Sequence, residues 1–364
     1  MNLCLLRHIA FGFLTGLAAV AGAQPRLQAV ASGLEHPWAV AFLPQGRYLV
    51  TERPGRLRLV EADGQLSAPI AGLPRVDARG QGGLLDLVLD SSFAANRQLY
   101  FCFAEAGDGG NGTALARARL AADELRLEQV EVIFRQQPKV ESRLHFGCRI
   151  VEARDGTLFL TLGERNSRRR DAQELGNHLG KVVRVNKDGT VPADNPFAQR
   201  AGALREIWSF GHRNGQGAAL GPDGALWMHE HGPQGGDEIN LPLPGRNYGW
   251  PVITYGEEYG GGKIGEGAAK PGMEQPLHYW VPSIAPSGMA FLAGDRYGPE
   301  WNGNLFVGSL KFGFLDRIEL DGERVAREHR IDVGERVRDV RLGPDGLLYL
   351  LTDEASGRLL RLVP

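Results

Sequence analysis

The side chains able to do chemistry sit in short loop segments that follow neither a helical nor a strand period. His145, in HFGCR, could act as a general base, because an imidazole titrates near working pH. A solitary His ahead of a strand more often serves a turn or a hydrogen bond, so its meaning depends on its company. In GHRNGQG, Arg213 offers a rigid fork of donors and Asn214 an amide beside it, which a planar, oxygen-rich ligand needs. A surface ion pair with a turn Asn would read the same way. HEHGPQGGDEINLPLPGRNYGWP, starting at His229, joins the carboxylates of Asp237 and Glu238 to Gly-Pro and Gly-Gly segments whose carbonyls can turn inward. Carboxylate and carbonyl oxygens in irregular loops suit calcium, although no EF-hand pattern is present. His229 and His231 share one strand face with Glu230 opposite and no third ligand in view, which argues against zinc. Lys311 in GSLKFG, and Arg336 and Arg338 in ERVRDV, add positive charge. Two Arg at i and i+2 point to one face, forming an anion clamp in a buried mouth or solvated charges on an open strand.

The elements that position these residues repeat. An apolar strand, a turn carrying Gly with Asp or Asn, and a second alternating strand recur as AVAFLPQGRYLVTE, LVLDSSFAANRQLYFCFAE, IVEARDGTLFLTLGE, AALGPDGALWMHE, AFLAGDRYGPEWNGNLFVGSLK and VRLGPDGLLYLLTD. The Asp-Gly pairs at Asp155, Asp223 and Asp345 predict tight hairpin turns in which both central residues take positive φ. Six hairpins that cannot bury their faces alone, at irregular spacing, predict an all-β chain closed as a six-bladed β-propeller. A β-sandwich with long insertions is the alternative, but it gives no reason for a six-fold recurrence. The longest insertions, 166–203 and 247–282, are rich in Gly, Pro and polar residues, and long ordered loops are where function concentrates.

Composition agrees. There are 50 Gly in 364 residues, and 41 basic residues stand against 43 acidic ones, which leaves no nucleic-acid footprint. A small ligand is the expected partner. At the start, Arg7 and His8 precede an apolar run, Ile9 to Val20, that ends in Ala21-Gly22-Ala23. This run is too short to span a bilayer and reads as a secretory signal over residues 1–23, leaving residues 24–364 as one periplasmic or secreted domain without stable membrane insertion. Cys4 departs with it. Cys102 and Cys148 could pair in an oxidising compartment, yet each lies in an apolar strand-like run where a free buried Cys is common, so their state stays open.

Taken together, GQGGLLD from Gly80, HFGCR, GHRNGQG, EHGPQGGDEINLPLPGRNYGWP, SLKFG and RVRDV resemble the soluble quinoprotein glucose dehydrogenase and aldose sugar dehydrogenase family, also called the glucose/sorbosone dehydrogenase family. The resemblance extends over nearly the whole chain after the signal. It implies a pyrroloquinoline quinone (PQQ) cofactor, calcium, an aldose substrate oxidised at the anomeric carbon to a lactone, and an electron acceptor whose identity is left open. Carried over to this sequence, it implies that His145 is the base and that Gln81 lies beside substrate and cofactor. Arg213 would polarise a quinone carbonyl, while Asn214, Lys311, Arg336 and Arg338 would hold cofactor oxygens. Gly232 and Pro233 would bind one calcium through their carbonyls. Glu238 and the Tyr248 backbone would match a second, structural calcium. One departure stands out: where glucose dehydrogenase proper has an Asp, LGER places Glu164, and the longer arm leaves its geometry toward His145 open. The loop 166–203 is closer to the aldose branch, so a broad aldose class is expected, in a monomer or homodimer.

Two other functions fit a propeller: a calcium-dependent lactonase-type hydrolase, and a non-catalytic carbohydrate-binding propeller. The hydrolase would need several side-chain ligands on one axial metal and would leave Lys311, Arg336 and Arg338 without a task. Joint retention of His145, Arg213 and the basic pair argues against the binding propeller. Fold alone does not separate the three.

Overall fold

The computed structural model describes residues 25–364, so the signal reading of residues 1–23 lies outside the described residues. These residues form six antiparallel sheets arranged as a β-propeller. Blade 1 comprises Pro37–Leu43, Arg47–Glu52 and Arg56–Val60; blade 2 comprises Leu84–Leu89, Gln98–Gly107, Gly110–Leu120 and Leu127–Arg135. Blade 3 comprises Ile150–Glu152, Leu158–Leu162, Lys181–Val185 and Ile207–Phe210; blade 4 comprises Gly215–Leu220, Leu226–Glu230, Asp237–Asn240 and His278–Trp280. Blade 5 comprises Pro286–Phe291, Leu305–Ser309, Phe314–Asp321 and Arg324–Asp332. Blade 6 comprises Val337–Leu342, Leu348–Thr352, Gly357–Val363 and, as its outermost strand, the N-terminal Arg26–Leu34. This pairing of the two ends of the described chain closes the ring. Each repeated segment of the sequence forms the first two strands of a blade, which are apolar because both their faces pack against neighbouring sheets.

The Asp-Gly turns form by a different route from the one the sequence predicts. Gly156, Gly224 and Gly346 have φ of 82°, 90° and 76°, while Asp155, Asp223 and Asp345 are not among the positive-φ residues. Each Asp instead accepts a hydrogen bond on Oδ1 from the backbone N–H two residues on, at 2.9 Å from Thr157, 3.0 Å from Ala225 and 3.2 Å from Leu347. The side chain supplies locally what a second left-handed residue would otherwise provide.

Two devices register the blades on one another. Buried hydroxyls donate to carbonyls at the next blade: Thr51 to Leu85 at 2.6 Å, Thr161 to Gly215 at 2.9 Å and Ser287 to Val337 at 2.6 Å. Among the first strands, Arg149 donates to Asp339 at 2.8 Å and to Asp86 at 3.3 Å, and Arg341 donates to Asp339 at 3.0 Å. Charges this deeply buried persist only when paired, so the network fixes blades 2, 3 and 6 relative to one another. Cys102 and Cys148 form a disulfide that links blade 2 to the segment carrying His145.

Candidate active site

A cavity of about 990 Å³ is lined by segments from every blade. Gln81, Asn214, Pro233, Lys311, Arg336 and Arg338 all line it, far apart in sequence but brought together at one end of the blades, where Gln81, Asn214, Arg336 and Arg338 lie at the start of a first strand and Pro233 and Lys311 just after a second. His145 is buried just behind the lining, which its chain neighbours Phe146 and Gly147 help to form. Arg213 lines a smaller adjoining cavity with Glu230, Gly232, Glu238 and Tyr248, and His231 lines both.

His145 takes φ of 53°, an uncommon conformation for a non-glycine residue and one that surrounding bonds must enforce. Its backbone N–H donates to Gln81 Oε1 at 2.9 Å, and its carbonyl accepts from Arg165 at 3.3 Å. The next N–H but one, on Gly147, donates to Asn214 Oδ1 at 3.0 Å. A Cβ at Gly163 would stand 2.1 Å from the His145 carbonyl oxygen, so the strand beneath has to be glycine there. The ring Nδ1 lies 2.7 Å from Glu164 Oε2, which answers the question of the longer arm: it reaches. Burial lowers the His145 pKa below its ordinary 6.5; Glu164 opposes the fall, and Arg213 and Arg165 add to it. Burial works against the Glu164 charge, but the His145 bond and nearby cations outweigh it and hold its pKa below the usual value. The pair is therefore a neutral imidazole donating Nδ1–H to a carboxylate, which leaves Nε2 as a lone-pair acceptor.

The cationic side is equally well held. Arg338 Nη2 donates to Asp353 at 2.8 Å and Nη1 to Gln216 Oε1 at 3.2 Å, while Arg336 donates to the Leu310 carbonyl at 3.0 Å. The Arg338 guanidinium also lies 5.7 Å from the Trp38 ring. Arg213 Nη1 donates to the carbonyls of His231 at 3.0 Å and Gly232 at 2.8 Å. The buried Nε atoms of Arg213 and Arg338 have no partner. His231 donates from Nε2 to the Pro286 carbonyl at 2.6 Å, and burial pushes its pKa down to about 3.

Asp237 is not free to bind a cation. It accepts from Gly232 N–H at 2.8 Å, from Ser283 Oγ at 2.7 Å, and from the N–H groups of Ile284 at 2.8 Å and Ala285 at 3.0 Å, so it acts as a clasp for the cavity wall. Glu238 lies in the smaller cavity, where burial and then the Glu230 carboxylate raise its pKa. Among the described residues no group of three or more His, Cys, Asp or Glu is placed to hold a metal. Any cation would rest chiefly on carbonyls. Trp38, Arg53, Gln216 and Asp353 also line the cavity and were not singled out from the sequence.

The profile of the Glucose / Sorbosone dehydrogenase family matches residues 34–361. The chain belongs to that family. It is 49% identical over 338 residues to aldose sugar dehydrogenase YliI of Escherichia coli K12, with 91% of each chain covered. The crystal structure of the soluble aldose sugar dehydrogenase from Escherichia coli in its apo form superposes with a TM-score of 0.91 at 46% identity, covering 94% of this chain and 100% of that one. The PQQ-bound aldose sugar dehydrogenase from Streptomyces coelicolor superposes with a TM-score of 0.75 at 28% identity, covering 93% and 99%. Membership in a sugar dehydrogenase family makes the protein an oxidoreductase and implies a sugar substrate. No helix among the described residues is long and apolar enough to cross a membrane.

Proposed function

We propose that this oxidoreductase uses PQQ and calcium to oxidise aldoses at the anomeric carbon to lactones, with His145 as the base. When bound, the quinone would supply a two-electron acceptor for the anomeric hydride, and calcium would supply Lewis acidity beside it. The fit is supported by the donor chemistry. Four cations, Arg53, Lys311, Arg336 and Arg338, face the cavity against two carboxylates, Glu257 and Asp353, and the latter is already bonded to Arg338. The unpartnered Nε atoms of Arg213 and Arg338 are buried donors that an oxygen-rich ligand would satisfy. For calcium, carbonyls converge on the Gly232 turn: a Cβ on Gly232 would meet the Gly235 oxygen at 2.1 Å and the Gly236 oxygen at 2.4 Å. Gly232 and Pro233 would hold the first ion through their carbonyls, and Glu238 with the Tyr248 backbone a second, structural one.

The protein's own residues then have separate tasks. His145 Nε2 takes the proton of the anomeric hydroxyl, while Glu164 keeps the other ring nitrogen protonated. Arg213 supplies positive potential where a carbonyl oxygen gains charge. Gln81 holds the His145 backbone, Asn214 holds that of Gly147, and both line the cavity. Lys311, Arg336 and Arg338 anchor ligand carboxylates. We also read residues 1–23 as an export signal and the propeller as one domain.

The observation that carries this reading is the buried His145–Glu164 pair directly behind the Phe146–Gly147 lining of a cation-rich cavity. His145→Ala should abolish sugar turnover while quinone binding persists; turnover that survives would remove His145 from the role of base.

A further inference from the structure

Glu164 is followed in the chain by a second charged residue that the proposed chemistry leaves without a task. Arg165 is fully buried, and the acceptors of its guanidinium are all neutral: the Ser142 carbonyl at 2.8 Å, the His145 carbonyl at 3.3 Å and the Asn111 amide oxygen. Its Nε has no partner. Burial pulls the Arg165 pKa down to about 10, and the charges of Glu164, Asp77 and Glu141 oppose the fall. A buried cation with no bonded carboxylate costs stability relative to an apolar side chain of similar size, so packing alone gives no reason for an Arg here.

Its position supplies one. The chain from His145 to Cys148 is bent into left-handed geometry, with φ of 53° at His145, 65° at Gly147 and 88° at Cys148. Gln81 and Asn214 hold this bend, and so does Thr113, whose hydroxyl donates to the Phe146 carbonyl at 2.6 Å. Arg165 is the fourth holder and brings a charge the other three lack. Its guanidinium carbon lies 3.5 Å from the centre of the Phe146 ring, and Phe146 lines the cavity. The fork also spans two blades, since Asn111 belongs to Gly110–Leu120 of blade 2 and Arg165 follows Leu158–Leu162 of blade 3. The Ser142 hydroxyl donates to the Arg165 carbonyl at 2.9 Å, so backbone and side chain are tied to the same segment.

Resting on the dehydrogenase reading above, we propose that Arg165 is a positioning residue for the base, clamping the His145–Phe146 bend from behind the cavity and keeping a positive charge beside the ring. Glu164 and Arg165 are then chain neighbours with opposed tasks. Glu164 keeps a proton on Nδ1, while Arg165 favours the neutral ring whose Nε2 can accept another. The titratable groups that face the ring are Glu164, Arg165, Arg213 and His231, the last held neutral by burial. Arg165 is sealed off from the cavity, so its effect passes through His145. A fork bonded to three acceptors and stacked on a ring is work for Arg that Lys, a point charge, does not repeat.

The test compares the quinone- and calcium-loaded enzyme with Arg165→Gln, which removes the charge, and Arg165→Lys, which keeps the charge and loses the fork. Both variants should lower kcat for glucose by roughly tenfold, with KM and quinone affinity kept within about twofold. The pH profile separates them. The acid limb of kcat should move to higher pH in Arg165→Gln, opposite to the effect of removing the Glu164 charge, and stay near the wild type in Arg165→Lys. Wild-type kcat in either variant, an acid limb that does not rise in Arg165→Gln, or quinone binding lost in step with kcat overturns the assignment. The last is what a merely structural strut would give. If Arg165→Gln does not fold, Ser142→Ala decides, because it cuts the bond to the Arg165 carbonyl from a half-buried position. Its kcat should fall about threefold with quinone affinity unchanged, and wild-type kcat there overturns the clamp. In the apo-protein, the imidazole NMR signal that vanishes in His145→Ala reads the same effect without turnover: it should titrate below pH 6.5 in the wild type and higher in Arg165→Gln. An unshifted titration overturns the proposal. Wild-type protein that oxidises no aldose sinks the dehydrogenase reading instead, and the NMR titration still decides whether Arg165 acts on His145.

Discussion

Replacing Glu164 by Gln isolates what the carboxylate does for His145. The side chain is 1% exposed and its amide is nearly isosteric, so packing is kept and the negative charge is removed. Two losses follow. The Gln amide can donate to Nδ1, which puts the proton on Nε2 and leaves no lone pair to accept the sugar proton. The imidazole also becomes less basic, because burial, Arg213 and Arg165 all lower its pKa and Glu164 no longer opposes them. Misplacing a catalytic tautomer in this way costs about 10²–10⁴ in kcat, roughly 3–5 kcal/mol. Glu164→Asp lengthens the 2.7 Å contact by about one bond and should cost roughly tenfold. The assay is kcat against pH for the loaded enzyme. In the wild type the acid limb should lie below pH 6.5, since His145 titrates below its ordinary value, and in Glu164→Gln it should move further acid. Sugar KM and quinone affinity should hardly change. A Glu164→Gln enzyme with nearly full kcat, or an acid limb that moves upward, would refute the reasoning.

Other consequences can be checked separately. Arg336→Ala combined with Arg338→Ala should weaken quinone binding by roughly 10²-fold, read by titration of the apo-protein, with little change in sugar preference; the opposite pattern would relocate the clamp. Chelation should remove activity and added calcium should restore it, whereas magnesium, which prefers octahedral sites and retains its water, should not. Activity indifferent to chelation would contradict a catalytic calcium. Converting Cys102 and Cys148 to Ala should lower unfolding stability by about 2–4 kcal/mol, since the bond closes a loop with a sequence separation of 46. Denaturant melts that superpose on the wild type would show that the bond adds no stability.

The blades were legible because each repeat carries its own hairpin chemistry, down to the Asp-Gly turns. The mechanism of those turns was not, since Asp can satisfy a turn either by its backbone angle or by its side chain. The closing strand Arg26–Leu34 carries no internal signal for its pairing with Gly357–Val363, more than 300 residues away. Within the site, His145, Arg213 and the basic pair stood out as charged residues in loops without period. Asp237 shows the limit of that approach. Its composition suggested a calcium ligand, yet three N–H groups and a hydroxyl consume it. Asp353, by contrast, was visible in principle. The repeated segments end in Glu52, Glu105, Glu164, Glu230 and Asp353, with Lys311 as the exception, although strand pairing places these acids at slightly different points near the ends of their second strands. Three of these acids, Glu164, Glu230 and Asp353, are the carboxylate partners of His145, His212 and Arg338.

Aldose oxidation by this protein should depend on both quinone and calcium. Dye-linked oxidation of a panel of aldoses by the purified apo-protein, with PQQ and calcium added singly and together, tests it most directly. Turnover that appears only when both are present is the predicted result. No turnover with any aldose, together with no binding of PQQ, would contradict it.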